Sequence, residues 1–313
     1  MFSPDYMSTV WSAAPTPLLA DGSLDIPSVQ RLADHHQALG VRGVFIGGTC
    51  GEGPFLDTSL LHQLAAETVR AVAGRAAVAL QITDNSAQRM IENVRRYADT
   101  GVDLFVIAPP FMSLNPDQEY LYELYAAVVD ASPIPIGLYH RGKYSSVILE
   151  AATMARLARL PKVVTIKDSA CLEEDTKVII AERDALRTKG KTFFAYNGNE
   201  FDVVGAAKSG YDGMTVGGGC FNAGAVAAIF RLAKEGKLDE AQVLQERLNN
   251  LMYTIFGGKK IACWLAGEKQ MMVELGIFST NTCVINYKLT GECANDIRTL
   301  PQQDRDFLLM GKY

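Results

Sequence analysis

PKVVTIKDSA, residues 161–170, is an apolar β-branched run that closes on an amine and then an Asp-Ser pair. Val163-Val164-Thr165-Ile166 shows no alternation of polar and apolar residues, so it predicts a parallel strand covered on both faces. Lys167 stands at the end of that strand. Burying an ammonium is unfavourable because desolvation disfavours the charged form. Two readings follow: a lysine that snorkels out to water, or an amine retained as a nucleophile. The rest of the chain decides between them.

Outward from this strand, similar runs recur at STVWSAA (8–14), GVFIG (43–47), AVALQIT (77–83) and DLFVIA (103–108). IPIGLY (134–139), TFFAYN (192–197) and DGMTV (212–216) complete a set of eight with KVVTIK (162–167). Stretches with apolar residues at three- and four-residue spacing lie between them, such as DTSLLHQLAAETVRAVAG and SAQRMIENVRRYADTG. Gly40, Gly74, Gly101 and Gly210 each close a helical stretch just before a strand, where a left-handed residue stops a helix. Eight strand–helix units over some 230 residues predict an α/β fold, a closed (β/α)₈ (TIM) barrel. The competing doubly wound sheet would carry a glycine-rich first turn, and none follows the first strand. Residues 1–236 are therefore read as the barrel and residues 237–313 as a C-terminal helical extension packed on it. In that extension two helices, a loop region and a short last helix, QQDRDFLL, are expected, with the Met-rich KQMMVELG as core.

Composition excludes several classes. The 313 residues carry a formal net charge of −5 with no basic run, which argues against nucleic acid or an anionic membrane as partner. No apolar stretch reaches membrane-span length, and MFSPDYMSTVW lacks the pattern of a signal peptide, so a cytoplasmic location is expected. Six scattered cysteines form no C-x-x-C pair and no histidine stands at ligand spacing, so neither a metal nor a disulfide framework is expected. The His35-His36 pair sits in a helical stretch and reads as surface or structural.

Active sites of such barrels gather at the C-terminal ends of the strands. Those ends read GGTCGEGP (47–54), APPFMS (108–113), YHRGKY (139–144), KDSA (167–170), YNGNE (196–200) and GGGCFN (217–222). One face thus gathers the Lys167 amine, the Tyr139 phenol, the Thr49 hydroxyl and many glycine-flanked amides. A neutral lysine condenses with a 2-oxo acid to an iminium that draws electrons from the neighbouring carbon. Such chemistry needs the uncharged amine, which a free lysine with a pKa of about 10.4 scarcely offers at pH 7. Tyr139 would move protons, and the Gly48-Thr49-Cys50-Gly51 turn would hold the substrate carboxylate. No carboxylate pair suited to hydrolysis stands out.

These motifs resemble the dihydrodipicolinate synthase/N-acetylneuraminate lyase superfamily of class I (Schiff-base) aldolases. G-T-C-G-E at 48–52, Tyr139, K-D-S at 167–169 and the glycines around Gly198 and Gly213 carry the resemblance, with Lys167 28 positions after Tyr139. It implies Lys167 as the imine-forming residue and Tyr139 and Thr49 as its catalytic companions. It further implies Gly48, Cys50, Gly51, Arg141, Gly198, Glu200 and Thr215 as substrate-binding, with no metal or organic cofactor. A homotetramer or homodimer is also implied. Cys50 replaces a hydroxyl residue of the family turn, and a reactive thiol there is an alternative role. Phe111 falls where the synthases place a second tyrosine, and Tyr144 where they place an arginine. Arg141 is the nearby cation. Tyr-His-Arg at 139–141 is similar to Tyr-Asn-Arg of a keto-deoxyglucarate dehydratase branch. The expected function is therefore a lyase acting on pyruvate or a 2-keto-3-deoxy sugar acid, by aldol cleavage, condensation or dehydration. The alternatives are dihydrodipicolinate synthase proper, a catalytically lapsed metabolite-binding barrel, and a phosphate-binding enzyme using Gly217-Gly218-Gly219.

Overall fold

The β-branched runs form strands and the three-four periodic stretches form helices in the computed structural model, which describes residues 10–285 and 287–311. The order is β1 (Val10–Ala13), α1 (Ile26–Ala38), β2 (Gly43–Ile46), α2 (Thr58–Val72), β3 (Ala77–Gln81), α3 (Ala87–Tyr97), β4 (Leu104–Ile107) and α4 (Gln118–Ala131). It continues with β5 (Ile136–His140), α5 (Ala151–Ala158), β6 (Val163–Asp168), α6 (Glu173–Thr188), β7 (Phe194–Asn197), α7 (Val203–Lys208), β8 (Gly213–Val216) and α8 (Gly219–Lys234). All eight strands pair in parallel with their neighbours, and β8 returns to β1, so the sheet closes into a (β/α)₈ barrel. Ser8 and Thr9 of the first predicted strand lie outside the described residues.

Helix starts follow the local chemistry. The side chains of Asp25, Asp57, Ser86 and Asp117 each accept an amide hydrogen bond from the first turn of α1, α2, α3 and α4. The four predicted glycine stops all have positive φ, from 74° to 94°. His36 of the histidine pair is buried in α1, and burial pushes its pKa down to about 3. It is a neutral core residue.

Two apolar layers result. The larger lies between sheet and helices. The smaller fills the barrel lumen with Trp11, Phe45, Leu104, Val106, Tyr139 and Tyr196. Lys167 opens onto a lumen void of only about 30 Å³, room for one or two waters. A substrate must therefore approach the lysine from the barrel mouth.

Among the described residues four helices follow the barrel: α9 (Leu238–Ile255), α10 (Trp264–Glu274), α11 (Gly291–Arg298) and α12 (Gln302–Leu308). Helix α11 falls in what was expected to be loop. Thr290 caps it by accepting from the Cys293 amide at 3.1 Å, a start signal overlooked because its apolar stripe is short. Met271 and Met272 of the Met-rich stretch are fully buried, as core. The same helix also buries two charges, Glu268 and Lys269.

Candidate active site

Strand register brings the chemistry together. Tyr139 on β5 pairs with Lys167 on β6, which pairs in turn with Tyr196 on β7. Parallel neighbours in register place these side chains on one level of the barrel. The half-buried Lys167 carries its Nζ 4.6 Å from the centre of the Tyr139 ring and 5.3 Å from that of Phe45. Such faces attract a cation and orient the amine. Among the described residues no carboxylate lies within ion-pair distance of this nitrogen, which leaves it available to substrate.

Gly198 makes room for the lysine. A methyl group there would lie 2.1 Å from Ser169 Oγ and 3.2 Å from Lys167 Cε. Neighbouring Asp168 is wholly buried and organises the strand end. Its carboxylate accepts from Tyr211 OH at 2.5 Å and from the amides of Ala170 and Cys171. Its carbonyl accepts from Gly198 N at 2.6 Å. Asp168 was quoted in the strand-ending motif without a role. Its position beside Lys167 was the only available signal.

The Tyr139 hydroxyl lies 3.4 Å from Thr49 Oγ1, across the mouth from β2, while its ring meets Phe45 edge-on. Thr49 belongs to a tight turn in which Glu52 N bonds Thr49 O at 3.2 Å and Gly53 N bonds Gly48 O at 3.3 Å. Gly51 sits against Gly47 and accepts from Thr16 Oγ1 at 2.6 Å, and a methyl group on Gly53 would collide with Gly47 O. Within the turn the Thr49 and Cys50 amides have no backbone acceptor among the described residues, so they can meet a carboxylate.

Glu52 adopts φ 55°, a left-handed conformation uncommon for a side chain of its size. Its carboxylate explains the choice. It accepts from Lys269 Nζ at 2.5 Å and from the amides of Val284 and Ile285 at 2.7 and 3.1 Å. Both ends of this ion pair are without solvent exposure. The pair ties the Gly48–Gly51 turn to α10 and the segment after it. Lys269→Met should cost about 3 kcal/mol of stability, since the two amides continue to solvate the orphaned carboxylate. Chemical denaturation measures the loss, and a change below about 0.5 kcal/mol would rule out the pair as an anchor.

The other expected site residues divide into two groups. Thr215 on β8 lines the lysine void and is buried. Arg141 places its guanidinium 6.0 Å from the Tyr139 ring, at the mouth. Gly48 packs over the Phe45 ring. Glu200 is placed differently from a substrate contact. Its carboxylate accepts from Gly218 N at 3.0 Å and Asn222 Nδ2 at 3.0 Å, so it caps the start of α8. That carboxylate also occupies the amide a phosphate would need, which argues against a phosphate site at Gly217–Gly219. Cys50 is buried and burial pushes its thiol well above its usual pKa, which argues against the reactive-thiol alternative.

Phe111 lies in a neighbouring cavity with Gly53 and Asn85, and Tyr144 is 61% exposed. The hydroxyl pair Thr49–Tyr139 therefore has no third hydroxyl bonded to it among the described residues. No cluster of three or more histidine, cysteine, aspartate or glutamate side chains is arranged for a metal among them either. No described helix is long and apolar enough to cross a membrane.

A lysine at a barrel mouth, a phenol beside it and a turn of free amides define an enzyme of the class I, Schiff-base aldolase or lyase type. Residues 6–285 match the dihydrodipicolinate synthetase family, and the chain belongs to it. It is 27% identical over 250 residues to a 4-hydroxy-tetrahydrodipicolinate synthase of Enterococcus faecalis, covering 80% of this chain and 83% of that one. Among solved structures, a dihydrodipicolinate synthase of Bacteroides thetaiotaomicron superposes with TM-score 0.84 at 27% identity, covering 95% and 98% of the two chains. The chloride-inhibited enzyme of Acinetobacter baumannii in complex with pyruvate shares the fold at 24% identity and TM-score 0.82, covering 96% and 99%.

Proposed function

We propose that Lys167 forms a Schiff base with pyruvate or a 2-keto-3-deoxy sugar acid, and that the enzyme makes or breaks a carbon–carbon bond, or removes water, next to it. The observation that carries this reading is the Lys167 amine over the Tyr139 ring, with the Tyr139 hydroxyl beside Thr49. The amine adds to the 2-oxo carbon, and the carbinolamine loses water to give an iminium. Tyr139 carries protons to and from that oxygen, with Thr49 holding its hydroxyl. Loss of a proton from the adjacent carbon gives an enamine, which adds to an aldehyde. In reverse, the carbon–carbon bond breaks to release one. Hydrolysis returns the lysine. The Thr49 and Cys50 amides and Gly48–Gly51 backbone hold the substrate carboxylate, Gly198 and Thr215 shape the lysine pocket, and Arg141 meets the far end of the substrate.

Dihydrodipicolinate synthase proper is the second reading, favoured by the names of the relatives. Phe111 and the exposed Tyr144 in place of hydroxyl and cation favour the first. Pyruvate offered with a series of aldehydes, including aspartate semialdehyde, and 2-keto-3-deoxy acids offered in reverse, separates the two. Turnover with aspartate semialdehyde alone would overturn the first reading. Absence of turnover with every pair would overturn both.

A cytoplasmic homotetramer or homodimer completes the proposal. It is supported by six unpaired cysteines and by Phe55, Met112, Leu114 and Tyr144 exposed on loops around the mouth. Sedimentation equilibrium tests the assembly, and a monomer at micromolar concentration would contradict it.

A further inference from the structure

Helix α10 carries two consecutive charged side chains without solvent exposure, Glu268 and Lys269. Lys269 has its partner in Glu52. Glu268 faces the turn between β8 and α8. There its Oε1 accepts only a weak bond from the Cys220 thiol at 3.6 Å, and its Oε2 has no partner among the described residues. A methyl group built on Gly217 would stand 3.7 Å from this Oε2 and 3.7 Å from Oε1 of Glu200. The two carboxyl groups thus converge on the face of a single glycine, with Cys50 Sγ 2.9 Å from the same point.

Their surroundings are unequal. Glu200 accepts hydrogen bonds from the Gly218 amide and the Asn222 side chain, donors that suit an ion. Glu268 has a thiol alone. Two ionised carboxylates in one water-poor site repel, and the proton settles on the one with fewer donors.

We infer that Glu268 is a neutral carboxylic acid at neutral pH, so that the Glu200–Glu268 pair carries one negative charge and Glu268 acts as a positioning residue for the β8–α8 turn beside the Lys167 pocket. Burial first, and then the Glu200 charge, push the Glu268 carboxyl well above the usual carboxylate range. Other groups facing the pair are the thiols of Cys50 and Cys220, both pushed up by burial, together with Lys269 and Glu52 beyond them. Burial raises the Glu200 carboxyl as well, but Asn222, the Gly218 amide and, from the lumen side, Lys167 all act against that rise. The proton on Glu268 makes the positioning pH-sensitive. Its folded-state pKa is raised, so its stabilisation is complete below the ordinary glutamate value and fades as pH rises towards the folded value.

Infrared spectra of the whole enzyme test this without reference to any substrate. A protonated carboxylic acid band should be present throughout the neutral range, disappear in Glu268→Gln, and persist in Glu200→Gln. Relative to Glu268→Gln, a mimic of the neutral acid, the wild type should also lose about tenfold in its folding equilibrium per pH unit above about pH 4.3. Absence of any acid band in the wild type would overturn the inference, even if the glutamine variant fails to fold. So would a band that survives in Glu268→Gln but vanishes in Glu200→Gln, which would place the proton on the other residue. A parallel pH course of stability in wild type and Glu268→Gln would overturn it as well.

Discussion

Lys167→Ala should leave a folded protein that forms no covalent adduct with pyruvate and turns over on the order of 10⁶-fold more slowly, the scale of losing a covalent nucleophile. The substitution removes a half-buried side chain from a strand end, next to a void that already exists, so the barrel has little to lose. Its Tyr139 and Thr49 neighbours stay in place, because the phenol is held by Phe45 and the threonine by its own turn. Borohydride reduction in the presence of pyruvate, read by intact mass, measures the adduct, and steady-state kinetics the rate. A variant that still accumulates the reduced adduct would place the imine on another lysine. Retained turnover without an adduct would remove the imine from the reaction altogether.

Tyr139→Phe should slow turnover by about 10²–10⁴, the range associated with one positioned proton donor and acceptor. The ring keeps its edge contact with Phe45 and its face towards Lys167, so stability and pyruvate binding change little. Only the hydroxyl opposite Thr49 is lost. Because a phenylalanine already stands at 111, no neighbouring phenol among the described residues is bonded to the pair to take over the proton. The loss should fall on kcat and on the rate of adduct formation more than on KM. Full activity with unchanged adduct kinetics would take Tyr139 out of the proton path and leave it an aromatic wall.

The strands, their order and their closure were readable because the parallel strands are short, largely apolar runs and four of the helical stretches between them close at Gly40, Gly74, Gly101 and Gly210, all with positive φ. The same logic placed Lys167, Tyr139 and Thr49 on one face, since strand ends converge at a barrel mouth. What stayed hidden shares one physical cause: the partner lies far along the chain. Glu52 was visible at the end of the G-T-C-G-E motif, yet its reason for being there is Lys269, 217 residues on. Glu200 read as a substrate contact because it follows the strand-7 glycine, whereas its donors come from the next βα turn. Glu268 and Lys269 stood in a predicted helix with no role assigned to them. A helix covered on both sides by barrel turns has no polar face, and periodicity alone does not reveal a cover formed by distant segments. Helix α11 was lost for a simpler reason, being eight residues long with only two fully buried side chains, Cys293 and Ile297.

The central claim is that the amine closing β6 forms the imine. Peptide mapping of the wild-type enzyme after borohydride reduction with pyruvate tests it most directly. The reduced pyruvyl group should sit on the peptide containing Lys167, at one per chain. A modified peptide lacking Lys167, or no modification with pyruvate or any 2-keto-3-deoxy acid, would contradict it.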